Sequence, residues 1–540
     1  MTLRLQRIHC DWQIWLIGLS AVIGALIAFN STAAVLELSL VLVGILLYFI
    51  MANLPDPLSL RHQLRAVLSG ILILLPSIIA THFLLTNDWS RWAGKLAILT
   101  PLATALANEQ LGLSQLALNP NVVGGALAAL LPLQVFALRH TRRWVSAISI
   151  GLTIVALVLS QTRGAWLALI VAVGAWGVWK MISTRVSNLR QARWFWVGIL
   201  IVGGIAALST LILTPLGEQL LGLGGDRRYI WRNSLDLVTD YPLTGLGLAG
   251  FEMTYSTYVL LTHVGHTVHA HNLWLDIWLN QGLLGVVALA GMVLNAVWPK
   301  PSSQWRTPAL IALGVILLHS LVDDPIYGYG GAAIPLIFVP LGLLARRADP
   351  SVINERTATL RFQPAFLIWG LTFGVIILGI VAPRGRAIFE ANLGALQQTQ
   401  AELSVYHWPE VPIQDALRRS DAIDLSPARE HFQTALALDP GNGTANRRLA
   451  QIELDQGAYD IACRRLAVAY ATDPYQRATR QLLGECEVLA DQPDEALNLW
   501  RTIDLSQGQL TVRQYWYDEY LQDHMRADKL KLAARVLAGE

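Results

Sequence analysis

Three short stretches carry the residue types that chemistry on a charged, oxygen-rich ligand would need. The first is Ser160-Gln161-Thr162-Arg163-Gly164-Ala165-Trp166, a turn between two apolar runs with one arginine in it. The second is Asp226-Arg227-Arg228-Tyr229-Ile230-Trp231-Arg232, followed by Asp240-Tyr241-Pro242-Leu243-Thr244-Gly245-Leu246-Gly247-Leu248. The third is His266-Thr267-Val268-His269-Ala270-His271-Asn272, which runs into Leu273-Trp274-Leu275 and Gln281-Gly282-Leu283-Leu284-Gly285. Arginine suits a diphosphate because its planar fork bonds two oxygens at once and never deprotonates. A histidine at a membrane edge is a base matched to neutral pH. Together they suit attack by an acceptor hydroxyl on a sugar carbon whose leaving group is a lipid diphosphate. The arginines would stabilise the charge that develops on that leaving group.

Each stretch also has a plainer explanation. A lone Arg163 can anchor a helix end by snorkelling. Ile230, Trp231, Leu235 and Leu237 have the spacing of a helix lying on the bilayer, where its arginines would meet anionic head groups. A single histidine is commonly just a hydrogen-bonded interfacial residue, but a cluster shifts the balance towards function. Pro242 with Gly245, Gly247 and Gly250 predicts a turn where backbone approaches a ligand closely. His269 and His271, two apart, would point to different sides of a regular helix, and no Asp-x-Asp stands in the outer loops. No metal site and no cofactor are therefore expected.

The elements that position these stretches are set by hydropathy. With 54% hydrophobic and 14% charged residues and a mean hydropathy of +0.44, the chain is no ordinary soluble domain. A net charge of +2 gives no reason to expect nucleic acid. Apolar blocks at 12–30, 34–53, 66–86, 122–139, 143–160, 164–181, 194–215, 272–298, 307–323, 331–345 and 364–382 predict eleven spans. The stretch 92–107 reads as interfacial or re-entrant. The first block, behind Arg4 and Arg7, reads as an uncleaved helix rather than a signal peptide. Alternate loops carry seventeen Lys and Arg residues, from Arg4 to Arg361, against Arg91, Lys95, Arg163, Arg227, Arg228 and Arg232 on the other side. That bias predicts a cytoplasmic N-terminus, the three stretches on the outer face, and the C-terminal tail outside the cytoplasm.

The tail, 425–540, shows a 34-residue period over 425–505: Ala428, Ala462 and Ala496; Leu449 and Leu483; Asp439-Pro440 and Asp473-Pro474. The period resembles the tetratricopeptide repeat, an array that usually holds a protein partner. Residues 383–424 read as a helical linker behind a membrane domain, 1–382, whose large outer loop is 216–271. Cys463 and Cys486 are able to pair if the tail lies outside the cytoplasm; no other cysteine pattern is present. The fold class is thus all-α, a polytopic bundle with a helical-repeat tail.

Thr-Arg-Gly-Ala, Arg-Arg-x-x-Trp, Pro-Leu-Thr-Gly-x-Gly, His-Ala-His-Asn and Val322-Asp323-Asp324 occur in the order found in O-antigen ligases and polymerases. The chain resembles that family over roughly residues 12–345. The resemblance implies an inverting, metal-independent glycosyltransferase of the cytoplasmic membrane that uses an undecaprenyl-diphosphate-linked glycan. It implies that Arg163 and one of Arg227 and Arg228 bind diphosphate and that His271 is the base. His269, Asn272 and Asp323 follow as lesser candidates, with a glycan, a lipid or a protein as acceptor. Two other readings compete: a transporter of a bicarbonate-type solute, and a non-enzymatic assembly scaffold. Transport asks for ionisable residues inside the spans, where Glu37, His82 and His319 are the only candidates, most of them towards span ends.

Overall fold

The computed structural model describes residues 11–53, 60–86, 118–138, 142–185, 225–297 except 263 and 266, 304–327 except 325, 331–345, 382–405 and 414–538. Every regular element among them is a helix. The membrane part begins with α1 (Trp12–Ile27), α2 (Ser31–Asn53), α3 (Leu60–Thr86), α4 (Pro120–Ala137), α5 (Arg143–Leu159) and α6 (Arg163–Arg185). Two polar-loop helices follow, α7 (Gly225–Asp240) and α8 (Phe251–Tyr258), then α9 (Leu273–Val297), α10 (Arg306–His319) and α11 (Ile334–Ala345). By length and composition, Ser31–Asn53, Pro120–Ala137, Arg163–Met181 and Leu273–Val297 can cross a membrane. The other apolar helices are shorter; α11, with 12 residues, is about 18 Å long, less than a ~30 Å hydrocarbon layer. The expected spans 194–215 and 364–382 fall outside the described residues, 382 excepted, as does the stretch 92–107.

Small and hydroxylated residues let these helices approach. A Cβ on Gly44 of α2 would strike the Phe338 ring of α11, and one on Gly342 would strike Tyr48 and Met51. Gln134 of α4 donates to Ser149 of α5 at 2.5 Å, and Ser149 pairs with Ser77 of α3 at 2.6 Å. Such pairs hold helices together where lipid offers no hydrophobic drive between them. The opposite faces, with Leu36, Leu46 and Ile148, are exposed and apolar.

Helix α9 is broken. Gly282 has φ 69° and ψ −170°, and the Pro-Leu-Thr-Gly turn fills the break. Leu283 N–H donates to Leu243 O at 3.1 Å and Leu246 N–H to Leu279 O at 2.7 Å. A Cβ at Gly245 or Gly282 would collide with the facing backbone, and both have a φ that glycine alone adopts freely. The glycines thus serve a close approach of backbone to backbone, not to a ligand as the sequence suggested.

The tail comprises α12 (Pro383–Leu403), α13 (Gln414–Arg419), α14 (Ser426–Leu438), α15 (Gly443–Asp455), α16 (Tyr459–Thr472), α17 (Arg477–Leu489), α18 (Pro493–Trp500), α19 (Gln507–Tyr515), a π turn over Trp516–Tyr520, and α20 (His524–Ala538). Successive helices pack on one another, and small residues sit at the contacts. Gly394 meets Phe432, and Gly484 meets the Trp500 indole. The stretch read as a linker, 383–424, holds α12, which packs along α14 and α15. Cys463 of α16 and Cys486 of α17 form a disulfide.

Candidate functional site

The third motif is not helical. Residues 269–272 form the loop that enters α9, and the helix starts only at Leu273. Asn272 caps it, its Oδ1 accepting from Trp274 N at 3.0 Å and Leu275 N at 3.4 Å. Ala270 N–H donates to Asp276 Oδ1 at 2.7 Å, which folds the loop back over the helix start. Without helical geometry the argument that kept the two histidines apart fails. Their rings lie 4.0 Å apart.

His271 is held at a positive φ of 54°, a conformation that costs a non-glycine residue free energy and is kept only where its surroundings enforce it. Three contacts enforce it. Its N–H donates to His269 Nδ1 at 3.1 Å, its carbonyl accepts from Trp231 Nε1 at 3.3 Å, and its Nδ1 lies 2.8 Å from Asp323 Oδ1. With Asp323 accepting from Nδ1–H, the Nε2 lone pair is left as a proton acceptor. Asp323 Oδ2 takes Arg227 Nη2 at 3.1 Å, while Arg227 Nη1 donates to Val322 O at 2.8 Å. Burial works against the Asp323 charge, but the His271 hydrogen bond and the Arg227 charge outweigh it and hold the carboxyl below the usual range.

The first motif meets the same segment. Gly164 packs tightly against it: a Cβ would stand 3.1 Å from the His319 ring and 3.2 Å from Val322. Arg163, exposed beside it, therefore starts α6 next to the chain that carries Asp323. The turn before it bends through Gln161 at φ 53°, a second positive-φ residue without a glycine's freedom. Arg227, Arg228 and Trp231 arrive from α7, so the three motifs do converge. Of the two arginines, Arg227 is the one that reaches Asp323. His266 lies outside the described residues.

Beneath these groups lies an acidic layer, made by Asp324 of the last motif and by Asp276, which no motif includes. Asp276 and Asp324 are fully buried beside His269, whose Nδ1 is 3.6 Å from Asp276 Oδ2. Burial, then the neighbouring Asp276, raises the Asp324 carboxyl well above its ordinary range, and burial lowers His269. Asp276 stands inside an expected span, so Glu37, His82 and His319 are not the only ionisable groups there. Glu37 has a structural task, accepting Ala249 N–H of the glycine turn at 3.0 Å. His269, His271 and Asp323 each offer a ligand atom within 4.8 Å of the others, an arrangement that could hold a metal ion. Both Asp323 oxygens, however, are already engaged by His271 and Arg227, and the guanidinium repels a cation.

No curated protein and no solved structure matches the chain. A family model described as O-Antigen ligase matches residues 148–290, a stretch that holds Arg163, Arg227, Arg228, His269, His271 and Asn272. Over that stretch the chain is similar to the O-antigen ligase family, which supports a membrane protein that transfers glycan.

Proposed function

We propose that this protein transfers a glycan from an undecaprenyl-diphosphate-linked donor to an acceptor hydroxyl at the outer face of the cytoplasmic membrane, inverting the sugar carbon without a metal. The observation that carries this is the chain Arg227–Asp323–His271, in which one carboxylate orients both a cation and a base. His271 Nε2 takes the acceptor proton as the new C–O bond forms and the bond to the lipid diphosphate breaks. Arg227, with Arg163 and Arg228 beside it, holds the diphosphate and the charge it gains. Asp323 sets the His271 tautomer and stabilises the imidazolium that results. His269 and Asn272 shape the loop that presents His271.

The Cys463–Cys486 pair favours an oxidising compartment for the tail. The loop that carries α7 packs on that tail, so it shares the compartment. The arginine distribution supports the same sidedness, with the N-terminus in the cytoplasm. The test compares lipid-linked glycan with mature surface polysaccharide in a host that expresses wild type, His271→Ala or Arg163→Ala. Accumulated donor and lost product support transfer; unchanged pools in both variants would sink it.

A further inference from the structure

A helical-repeat array ordinarily takes its partner along the face built from one helix of each pair. In this chain that face is filled from within. Tyr258 Oη donates to Glu402 of α12 at 2.9 Å, and Arg448 of α15 pairs with Asp240 at 2.9 Å. Arg477 of α17 donates to Val259 O at 2.7 Å, and Arg513 of α19 to Leu261 O at 3.1 Å. Four tail helices, α12, α15, α17 and α19, therefore grip one segment, 240–261, of the outer loop.

Burial says the same. Helix α16 buries only Ala462, Leu466 and Ala469, as expected for an outer helix with one covered face. Helix α17 instead buries Arg477, Arg480, Gln481 and Glu485 along with its apolar residues. A partner protein would have to displace Arg448 from Asp240, a pair whose side chains are 0% and 2% exposed.

The segment so gripped continues α7, and α7 is fastened at both ends. Its 16 residues span about 24 Å, with Arg227 on Asp323 at one end and Asp240 under Arg447 and Arg448 at the other. Asp236, one turn earlier, accepts Arg477 N–H at 2.9 Å. A rigid helix held at its far end fixes the aim of the side chains at its near end.

We propose that the tail's occupied face is a clasp for the chain's own loop, and that Arg448 and Arg477 are positioning residues that hold Arg227 at the donor diphosphate. This rests on the role given to Arg227 above. It replaces the expectation that the array holds a protein partner there.

The test uses the full chain in nanodiscs and undecaprenyl diphosphate alone as the probe. Wild type should bind it, and Arg227→Ala should weaken binding about tenfold or more. Arg448→Gln should weaken it by a similar factor, while Arg465→Gln, on the far side of the array, changes nothing. The double variant Arg227→Ala/Arg448→Gln should bind no more weakly than Arg227→Ala alone, because Arg448 acts only through Arg227. A merely structural loss would add to the first. Arg448→Lys, which keeps the charge, should restore part of the affinity. Where Arg448→Gln fails to fold, Thr399→Val gives the milder version, since it removes only the hydroxyl paired with Tyr241. Wild-type affinity in Arg448→Gln, or two losses that multiply, overturns the proposal while the Arg227 reading stands. If Arg227→Ala binds as wild type does, the Arg227 reading fails and takes this proposal with it.

Discussion

Two arginine–aspartate pairs sit at opposite ends of α7, and water reaches only one of them. Arg227 is 27% exposed against an Asp323 that is 7% exposed, whereas Arg448 and Asp240 are 0% and 2% exposed. The chemistry is the same, so exposure decides what each pair can do. A half-open guanidinium can turn towards a phosphate while keeping one hydrogen bond at home. A closed one has nowhere to turn, and Arg448 is further boxed in by the Tyr258 ring, 3.6 Å from its guanidinium carbon. On the proposed reading the open pair serves a ligand and the closed pair alignment.

The sharpest way to separate the two ends is to remove the base beside the open pair. His271→Ala is expected to lower transfer about 10³-fold, with the protein still inserted and lipid-linked donor accumulating. Arg227→Ala comes next, at roughly 10²-fold in transfer, with less than about 1 kcal/mol lost in stability. Arg448→Ala should reverse that order of symptoms. Breaking a buried pair costs about 3–5 kcal/mol, read as a lower melting temperature of the loop and tail together. Equal melting temperatures for the Arg227 and Arg448 variants would dissolve the comparison. Loss of the disulfide through Cys463→Ser should be similar or slightly smaller, about 3 kcal/mol for a loop of that size, and should lower tail stability without weakening donor affinity at low temperature.

The smallest effect is a matter of pH. Burial raises the Asp236 carboxyl from 3.8 to about 7, with the Arg477 amide only partly opposing it. The folded state therefore holds this proton more tightly than the unfolded state does. The contribution of Asp236 is most favourable below about pH 4 and is lost as pH rises through 7. Asp236→Asn keeps an acceptor for the amide and removes the titration. It is expected to raise the melting temperature at pH 8 by a few degrees, about 3 °C or more, and to leave it unchanged at pH 4. A larger gain at pH 4 than at pH 8 would contradict this.

The candidate-site arginines and His271 stand out in the sequence because their residue types are out of place beside apolar runs. Their mutual distances do not, since Arg227 and Asp323 are 96 positions apart. The histidine loop was misread as helix although a signal was present: Asn272 just before an apolar run is an N-cap, which ends the helix there rather than carrying it back through His269. Asp276 escaped notice because one acid in a long apolar block hardly changes its hydropathy. The clasp was hidden for a different reason. Arg447 and Arg448 lie on an amphipathic helix, where charges normally face solvent, and only the loop folded over them makes them interior. A 34-residue period describes how helices pack on each other and says nothing about what fills their free face.

The carbonyls at the end of α1 are claimed by residues made much later. Leu248 N–H donates to Gly24 O at 3.0 Å and Gln400 Nε2 to Ile27 O at 2.7 Å. A ribosome that has just finished α11 has already supplied Arg163, Arg227, His271 and Asp323, yet α7 still lacks its far anchor. On the proposed clasp, transfer would begin only after α12 and α15 have been synthesised and have reached the side where the loop waits. Activity would thereby be tied to the late steps of biogenesis, and a nascent chain still in the translocon would stay silent while it carries every residue of the candidate site.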